Sequence, residues 1–395
     1  MEWSAGNVES FDKGSGAVRK MLEIEITPEG LRRLVEKVGE ERADLRDADV
    51  KAFQGGKLEP LYHEPPQVAV AMLDGGRAQT RASDAPPGVH EAAWIETKVA
   101  NLSTYTDVSF SLDPEPKPPA KFLDPPAVVK LAQEMKGFNG KASAEQRRKA
   151  ANPKEPKAPE RSEEKKKRLE RKVRTVVATT KSCEEFGPMV AADARRRGFF
   201  EAKKKAALGD GSLWIWGIVS THLVGFVQIL DFLHLLVHLY AAAQAAYKAQ
   251  VDKAWSLYVK LVKLAWAGRV SELLGQLRKH AQRIGAPPEK CPQDDRRKIL
   301  AGVIEYVDKN RDKMDYPRYR REGLPISSAP MESLIKQVNL RVKGTDKFWI
   351  KEGLEAMLQV RAAYLSEDGR AEAHWAKRPL GRAASRSLFA RKAAA

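Results

Sequence analysis

Three carboxylates stand at positions where a charge is costly unless it has a partner. Asp74 closes the apolar run Gln67–Leu73. Asp210 closes a short apolar approach that starts at Ala206. Glu332 stands at a helix start behind the loop Gly323–Pro330. A carboxylate loses hydration in a core, so an acid at a strand's exit is placed where it can meet a metal or water. A fourth acid, Asp231, ends the buried-strand run Val227–Leu230, with His234 three residues on and His238 four after that. Two strand exits so close in sequence, at Asp210 and Asp231, suggest a site built at a sheet edge.

The elements that must position these groups follow from pattern. Gln67–Leu73 reads as a continuous apolar strand, and Asp74-Gly-Gly-Arg77 as a tight turn to an antiparallel neighbour around Ala78–Arg81. Trp94–Tyr105 reads as a further strand, and Val173–Thr179 is β-rich. Leu213–Trp216 is an apolar run that periodicity cannot assign to helix or strand. Thr27-Pro28 opens a helix with Leu31, Leu34, Val35 and Val38 on one face. Ser182–Gly198 reads as a helix, with Glu184 and Glu185 in its first turn and Arg195–Arg197 in its last. Gly187-Pro188 allows a kink there or a later start. From Leu233 to about Arg321 the pattern is helical throughout. Ser327, Ser328 and Pro330 signal one more helix start, and Leu354, Leu358 and Ala362 repeat a helical spacing later.

The chain has 395 residues, enough for two or three domains, and a net charge of +17 with pI near 9.7. Such a balance favours nucleic acid or an anionic surface as partner. The charged stretch Ala142–Arg174 reads as a linker or exposed helix, and Asp113–Pro119 as a proline-rich connector. Cys183 and Cys291 make no disulfide framework and no zinc spacing, which fits a reducing cytoplasm. No apolar segment of signal-peptide type follows Met1. Asp210, His222, Asp231, His234 and His238 interrupt the apolar stretch 206–239 and argue against a membrane span. No GxxxxGK[ST] occurs, so ATP-driven work is not supported. A zinc site from Asp231, His234 and His238 lacks an evident fourth ligand, and His234 hydrogen-bonded near the acids is the stronger reading. Trp214, Trp216, Trp255, Trp266 and Trp349 read as core rather than as stacking platforms.

Strands, an acid, helices, then an acid on a terminal helix is the order of an RNase H-like polynucleotidyl transferase core, which this chain resembles. That chemistry uses carboxylates because two hard cations must be held roughly 3.5–4 Å apart. The chain also resembles DDE transposases of bacterial insertion sequences, the ISKra-type group related to Mutator-like elements. Six segments carry the likeness, in family order: Leu73–Arg77, Trp94–Ala100, Gly209–Trp216, Ile229–His234, Gly323–Glu332 and Arg341–Trp349.

The resemblance implies an α/β fold, an RNase H-like mixed-sheet catalytic core interrupted by an all-α insertion domain. It implies Asp74, Asp210 and Glu332 as a triad binding two Mg²⁺ or Mn²⁺ ions. Asp231 and His234 would form the supporting Asp-x-x-His motif. It divides the chain into an N-terminal partly helical arm (1–66), the first part of the core (67–134), a basic linker (135–174) and the second part of the core (175–234). An all-α insertion (235–322), a C-terminal core helix with the third acid (323–366) and a basic tail (367–395) follow. The expected activity is metal-dependent cleavage and strand transfer at insertion-sequence ends. The alternatives are a nuclease without strand transfer, or an inactive DNA-binding remnant. The expected partner is double-stranded DNA, bound by a homodimer or higher oligomer, with no membrane, in the bacterial cytoplasm at the nucleoid.

Overall fold

A five-stranded mixed sheet carries the molecule. In the computed structural model, residues 1–82, 93–135, 169–344 and 347–377 are described. The strands are β1 (Val68–Thr80), β2 (Ala93–Tyr105), β3 (Arg171–Thr179), β4 (Lys204–Gly209) and β5 (Val227–Leu230), in the order β3-β2-β1-β4-β5. The β1–β2 and β2–β3 pairs are antiparallel, and β1–β4 and β4–β5 parallel. Val68 to Leu73 are all buried, both parities alike, so helices cover both faces of the central strand. The chain is thus mixed α/β, as the sequence pattern indicates.

The expected turn at Gly75-Gly76 does not form. β1 runs straight through both glycines, paired residue by residue with β2 from Val68↔Tyr105 to Thr80↔Ala93. Neither glycine has a positive φ. A glycine pair reads as a turn only when the strand partner follows at once. Here the partner begins at Ala93, beyond residues 83–92, which lie outside the described set. The charged linker over 136–168 and the tail from 378 also lie outside it.

Helices form where the caps demand. α1 (Glu2–Asn7) and α2 (Phe11–Leu22) precede the long α3 (Pro28–Gln54), which Thr27 caps by accepting from the Gly30 N–H at 3.0 Å. α4 (Pro125–Glu134) is capped by Asp124. α5 (Cys183–Arg196) starts at a complete Ser182/Glu185 capping box and passes through Pro188 without ending. The ambiguous Leu213–Trp216 run becomes the first turn of α6 (Leu213–His222). α7 (Phe232–Tyr247) is buried on nearly every side, which is why its sequence is apolar all round. α8 (Val251–Trp266), α9 (Val270–Ile284), α10 (Arg296–Lys309) and α11 (Tyr316–Arg321) complete a block in which 232–321 contains no strand. α12 (Ala329–Val342), α13 (Lys351–Leu365) and α14 (Arg370–Lys377) follow. No helix among the described residues is long and apolar enough to cross a membrane.

Both open edges of the sheet are closed by other parts of the chain. At β3, the Val176 N–H donates to Ser366 Oγ at 2.9 Å, and the Glu367 N–H to the Arg174 carbonyl at 2.8 Å. At β5, Tyr316 Oη donates to the Leu230 carbonyl at 3.0 Å and Tyr319 Oη to that of Gln228 at 3.4 Å. An edge left bare would template pairing with another chain. The proline-rich connector is tied down too: Asp113 pairs with Arg320 at 2.5 Å, and Trp266 Nε1 donates to the Glu115 carbonyl at 2.7 Å. Trp216, Trp266 and Trp349 are buried, in line with the core reading.

The N-terminal helices are part of the packing. Arg42 and Glu2 form a buried ion pair at 3.2 Å, and Arg46 pairs with Glu355 at 2.6 Å. Gly39 lets α3 cross α13 at backbone contact, since a Cβ there would stand 2.3 Å from the Ala356 carbonyl oxygen. Gly39→Ala should therefore cost about 1–3 kcal/mol through overpacking, read as a lowered urea midpoint with an unchanged slope.

Candidate active site

The parallel ladders align three acids. Met72 pairs with Leu208 and Gly209 with Leu230. Two residues further along β1, and one further along β4 and β5, the same registers bring Asp74 level with Asp210 and Asp231. The latter two lie just past their strand ends, but Asp74 is not at a strand exit, because β1 runs on to Thr80 beyond its pairing with β4. β4 and β5 end here at their carboxyl ends, where open α/β sheets form crevices. α12 brings Glu332 to the same place in its first turn.

Asp74, Asp210 and Glu332 all line one cleft of about 1150 Å³. Asp74 Oδ1 accepts from the Gly75 N–H at 2.7 Å, and Asp210 Oδ1 from the Ser212 N–H at 2.8 Å. Burial, then the charges of Asp210 and Glu332, push the Asp74 carboxyl up to about 7, against the Gly75 N–H and His234. Glu332 is raised as well, by burial and by Asp231 and Glu134, with His234 and Lys336 opposing. Like charges crowded into a half-buried cleft resist ionising together.

Asp231 is placed differently. It is 0% exposed and faces protein on both oxygens. Oδ1 accepts from the Ser328 N–H at 2.6 Å. Oδ2 accepts from the His234 N–H at 3.0 Å and meets His234 Nδ1 at 2.6 Å. Burial opposes the Asp231 charge, but His234 and these N–H donors hold its carboxyl below the usual range. Burial likewise opposes the His234 charge, yet Asp231, with Asp210 and Asp74 beyond, keeps the imidazole above its ordinary value. Nδ1 is committed to Asp231, which leaves Nε2 for the cleft that His234 lines. Among the described residues the zinc set is not assembled: both Asp231 oxygens already accept N–H donors, and His238 stacks on Tyr306 with ring centres 3.8 Å apart. Burial and the His234 cation push His238 down to about 4.

Tyr306, on α10, was not visible as a site residue. Its hydroxyl donates to the Asp210 carbonyl at 2.7 Å, across 96 residues of sequence. Gly211, at φ +100°, makes the sharp exit from Asp210, and a Cβ there would lie 2.6 Å from Tyr306 Cε2. Lys336, Asn339 and Lys343 also line the cleft. They stand four, seven and eleven residues after Glu332, the helical spacing of one face, so that signal was in the sequence. Cys183 and Cys291 are free thiols. Compared with family models and with curated proteins, the chain matches none.

The acceptor inventory suits a hard cation. Asp74 Oδ2, Asp210 Oδ2 and both Glu332 oxygens take no hydrogen bond from the described residues, whereas both Asp231 oxygens do. Carboxylate oxygens without donors are ligands for Mg²⁺, Mn²⁺ or Ca²⁺ rather than for soft metals. Among the described residues no three such side chains already stand gathered around one point. Side-chain rotation within the cleft would have to complete any ligand set.

Two substitutions separate these roles. The raised Asp74 carboxyl penalises the fold as pH rises above about 4, fully so above about 7. In EDTA, Asp74→Asn should stabilise the protein at pH 8 by on the order of 1–2 kcal/mol and leave it unchanged at pH 4. Asp231→Asn should destabilise by about 3–5 kcal/mol at pH 7, because it takes the buried carboxylate from the half-buried His234 imidazole and from the N–H groups of His234 and Ser328. Thermal melts of both variants across pH check the pair.

Proposed function

We propose that this protein is a DDE-type transposase that cleaves DNA and transfers the strand, with an RNase H-like core. The observation that carries the reading is the convergence of Asp74, Asp210 and Glu332 on one cleft from three distant parts of the chain. The mixed sheet, with Asp74 on β1 beside Asp210 at the end of β4, supports the fold side of it. The net charge of +17 supports a polyanionic substrate.

Two hard divalent cations, Mg²⁺ or Mn²⁺, held by Asp74, Asp210 and Glu332 would supply the charge that activates an oxygen nucleophile and steadies the leaving oxygen. The chain's own residues do the rest. His234 Nε2, its ring fixed by Asp231, points a donor at a phosphate oxygen. Arg77, Lys98 and Lys336, which line the cleft, hold neighbouring phosphates. The Tyr306–His238 stack closes one wall and keeps the Asp210 backbone in place. Hydrolysis and strand transfer are both in-line displacements at phosphorus and differ in the attacking oxygen, so one cleft serves both. Transposition joins two DNA ends to one target, which favours a homodimer or larger assembly on double-stranded DNA, working at the bacterial nucleoid.

The decisive assay compares three proteins at matched salt on duplex DNA taken from the sequence on either side of the gene, where this reading expects terminal inverted repeats. Wild type should give Mg²⁺- or Mn²⁺-dependent cleavage and strand-transfer product. Asp210→Asn should lose at least about a hundredfold in cleavage while binding survives, because an amide keeps the shape and drops the charge that holds the cations. His234→Ala should fall less. Full cleavage by Asp210→Asn would remove Asp210 from the triad. Cleavage by wild type without joined product would leave a nuclease.

A further inference from the structure

The helical block carries a second groove that the chemistry above does not use. It encloses about 1190 Å³ and is lined by α7, α10 and the loop that enters α10. His238, Ala241 and Tyr306 line both this groove and the cleft of the acids, so the two spaces adjoin across the His238–Tyr306 stack. One face of α7 runs through both. His234 lines the cleft, His238 and Ala241 line both spaces, and Ala245 and Lys248 line the groove. Those positions fall four, seven, eleven and fourteen residues after His234, the spacing of a single helical stripe. At about 1.5 Å of rise per residue, Lys248 stands roughly 21 Å along the axis from His234. α10 forms the opposite wall, from Arg296 to Tyr306, whose hydroxyl holds the Asp210 carbonyl.

The end of the groove away from the acids is basic. Lys248, Arg296, Arg297 and Lys298 line it, against two acids, Asp294 and Asp295. Arg297 is taken by Asp295 at 2.8 Å, and Asp295 also caps α10 by accepting from the Arg297 N–H. Among the described residues, Lys248, Arg296 and Lys298 have no ion-pair partner. Three cations are thus left beside one remaining acid, Asp294. Lys248 ends α7 at φ +48° and ψ −106°, a backbone conformation that favours glycine. Strain of this kind gathers where a side chain is needed at one place. The floor between the cations and the acids is made of small residues: Ala241, Ala245 and Gly302, where a Cβ would meet nothing within 4 Å.

We propose that this groove seats the sugar-phosphate backbone of duplex DNA about six base pairs from the bond at the acids, with Lys248, Arg296 and Lys298 on its phosphates. The inference rests on the DNA-cleaving reading and extends it to the DNA on one side of the cut. The α7 stripe is the physical link. A duplex that passes His234 and follows the stripe for roughly 21 Å advances about six base pairs at about 3.4 Å each. Cations above a floor of small residues hold phosphates and reach no base edge, so the seat takes DNA of any sequence.

The test uses the full-length protein in EDTA, so that no cleavage intervenes, and a fluorescent duplex of roughly 40 base pairs from one side of the gene, titrated across salt concentrations. Lys248→Gly should lower the slope of log affinity against log salt by about one. Lys248→Gly with Lys298→Gln should lower it by about two, with at least about a tenfold loss of affinity at about 0.1 M salt. Lys248→Gly should melt no lower than wild type, because glycine accepts the φ of +48°, so misfolding does not account for the loss. Gly302→Glu, which puts an acid into open space on a helix, should weaken binding as well. Ethylation of single phosphates should block wild-type binding about six base pairs from the bond cut in Mn²⁺, and the double variant should no longer sense that position. An unchanged salt slope in the double variant, or interference that stays at that position, would overturn the role of the groove. Wild type that neither binds nor cuts the duplex would instead overturn the DNA-cleaving reading itself.

Discussion

The carboxylate of Asp231 is the constraint on which the rest of the site depends. It has no contact with solvent, and its two oxygens take the N–H of Ser328, the N–H of His234 and the His234 ring. One side chain thereby ends β5, caps α7 and fixes the chain just ahead of α12. Glu332 lies four residues past Ser328, so its place in the cleft is set by a bond made 97 residues away in sequence. A buried charge is tolerable only when its partners are complete, and here they are. Loss of any one of them would loosen a strand end, a helix start and a cleft residue together.

The cleft itself is built against its own electrostatics. Three acids crowd a half-buried space, and Asp74 answers by holding its proton up to about pH 7. What keeps them together is register and packing rather than attraction: the ladders of β1 with β4 and β4 with β5 leave Asp74 and Asp210 nowhere else to go. The Gly75 N–H, His234 and Lys336 oppose the repulsion at Asp74 and Glu332. Stability sacrificed at one spot for a concentration of charge is the usual signature of a functional site.

The acids and the strands behind them were legible because an apolar run that stops at a charge is a strong local signal. Asp231 carries it in full, whereas at Asp74 the apolar run stops but the strand runs on to Thr80. The helices of 232–321 were equally plain, since their periodicity repeats over many turns. Other features had no local trace. Gly75-Gly76 mimics a turn because turn chemistry says nothing about which strand will pair. Leu213–Trp216 stayed ambiguous because the helix opens with an exposed Leu213 and half-buried Trp214 beside buried Ile215 and Trp216, an apolar run with no polar face to show its period. Tyr306, Tyr316 and Tyr319 act on carbonyls 86 to 96 residues away, and nothing in their own neighbourhood announces it.

The helical block between Asp231 and Ser328 interrupts the core without disturbing it, and the same carboxylate explains how. The block leaves the sheet at Asp231 and returns at Ser328, and those two residues are bonded at 2.6 Å. To the sheet, some ninety residues of helix are a closed loop anchored at one point, and closure entropy grows only slowly with such length. The block is also not a passive insertion. Tyr316 and Tyr319 seal the β5 edge, and Tyr306 with His238 forms the wall beside Asp210. A loop that supplies both an edge seal and a cleft wall must be seated before the cleft has its shape. The acids, which lie outside it in sequence, therefore depend on it for their geometry.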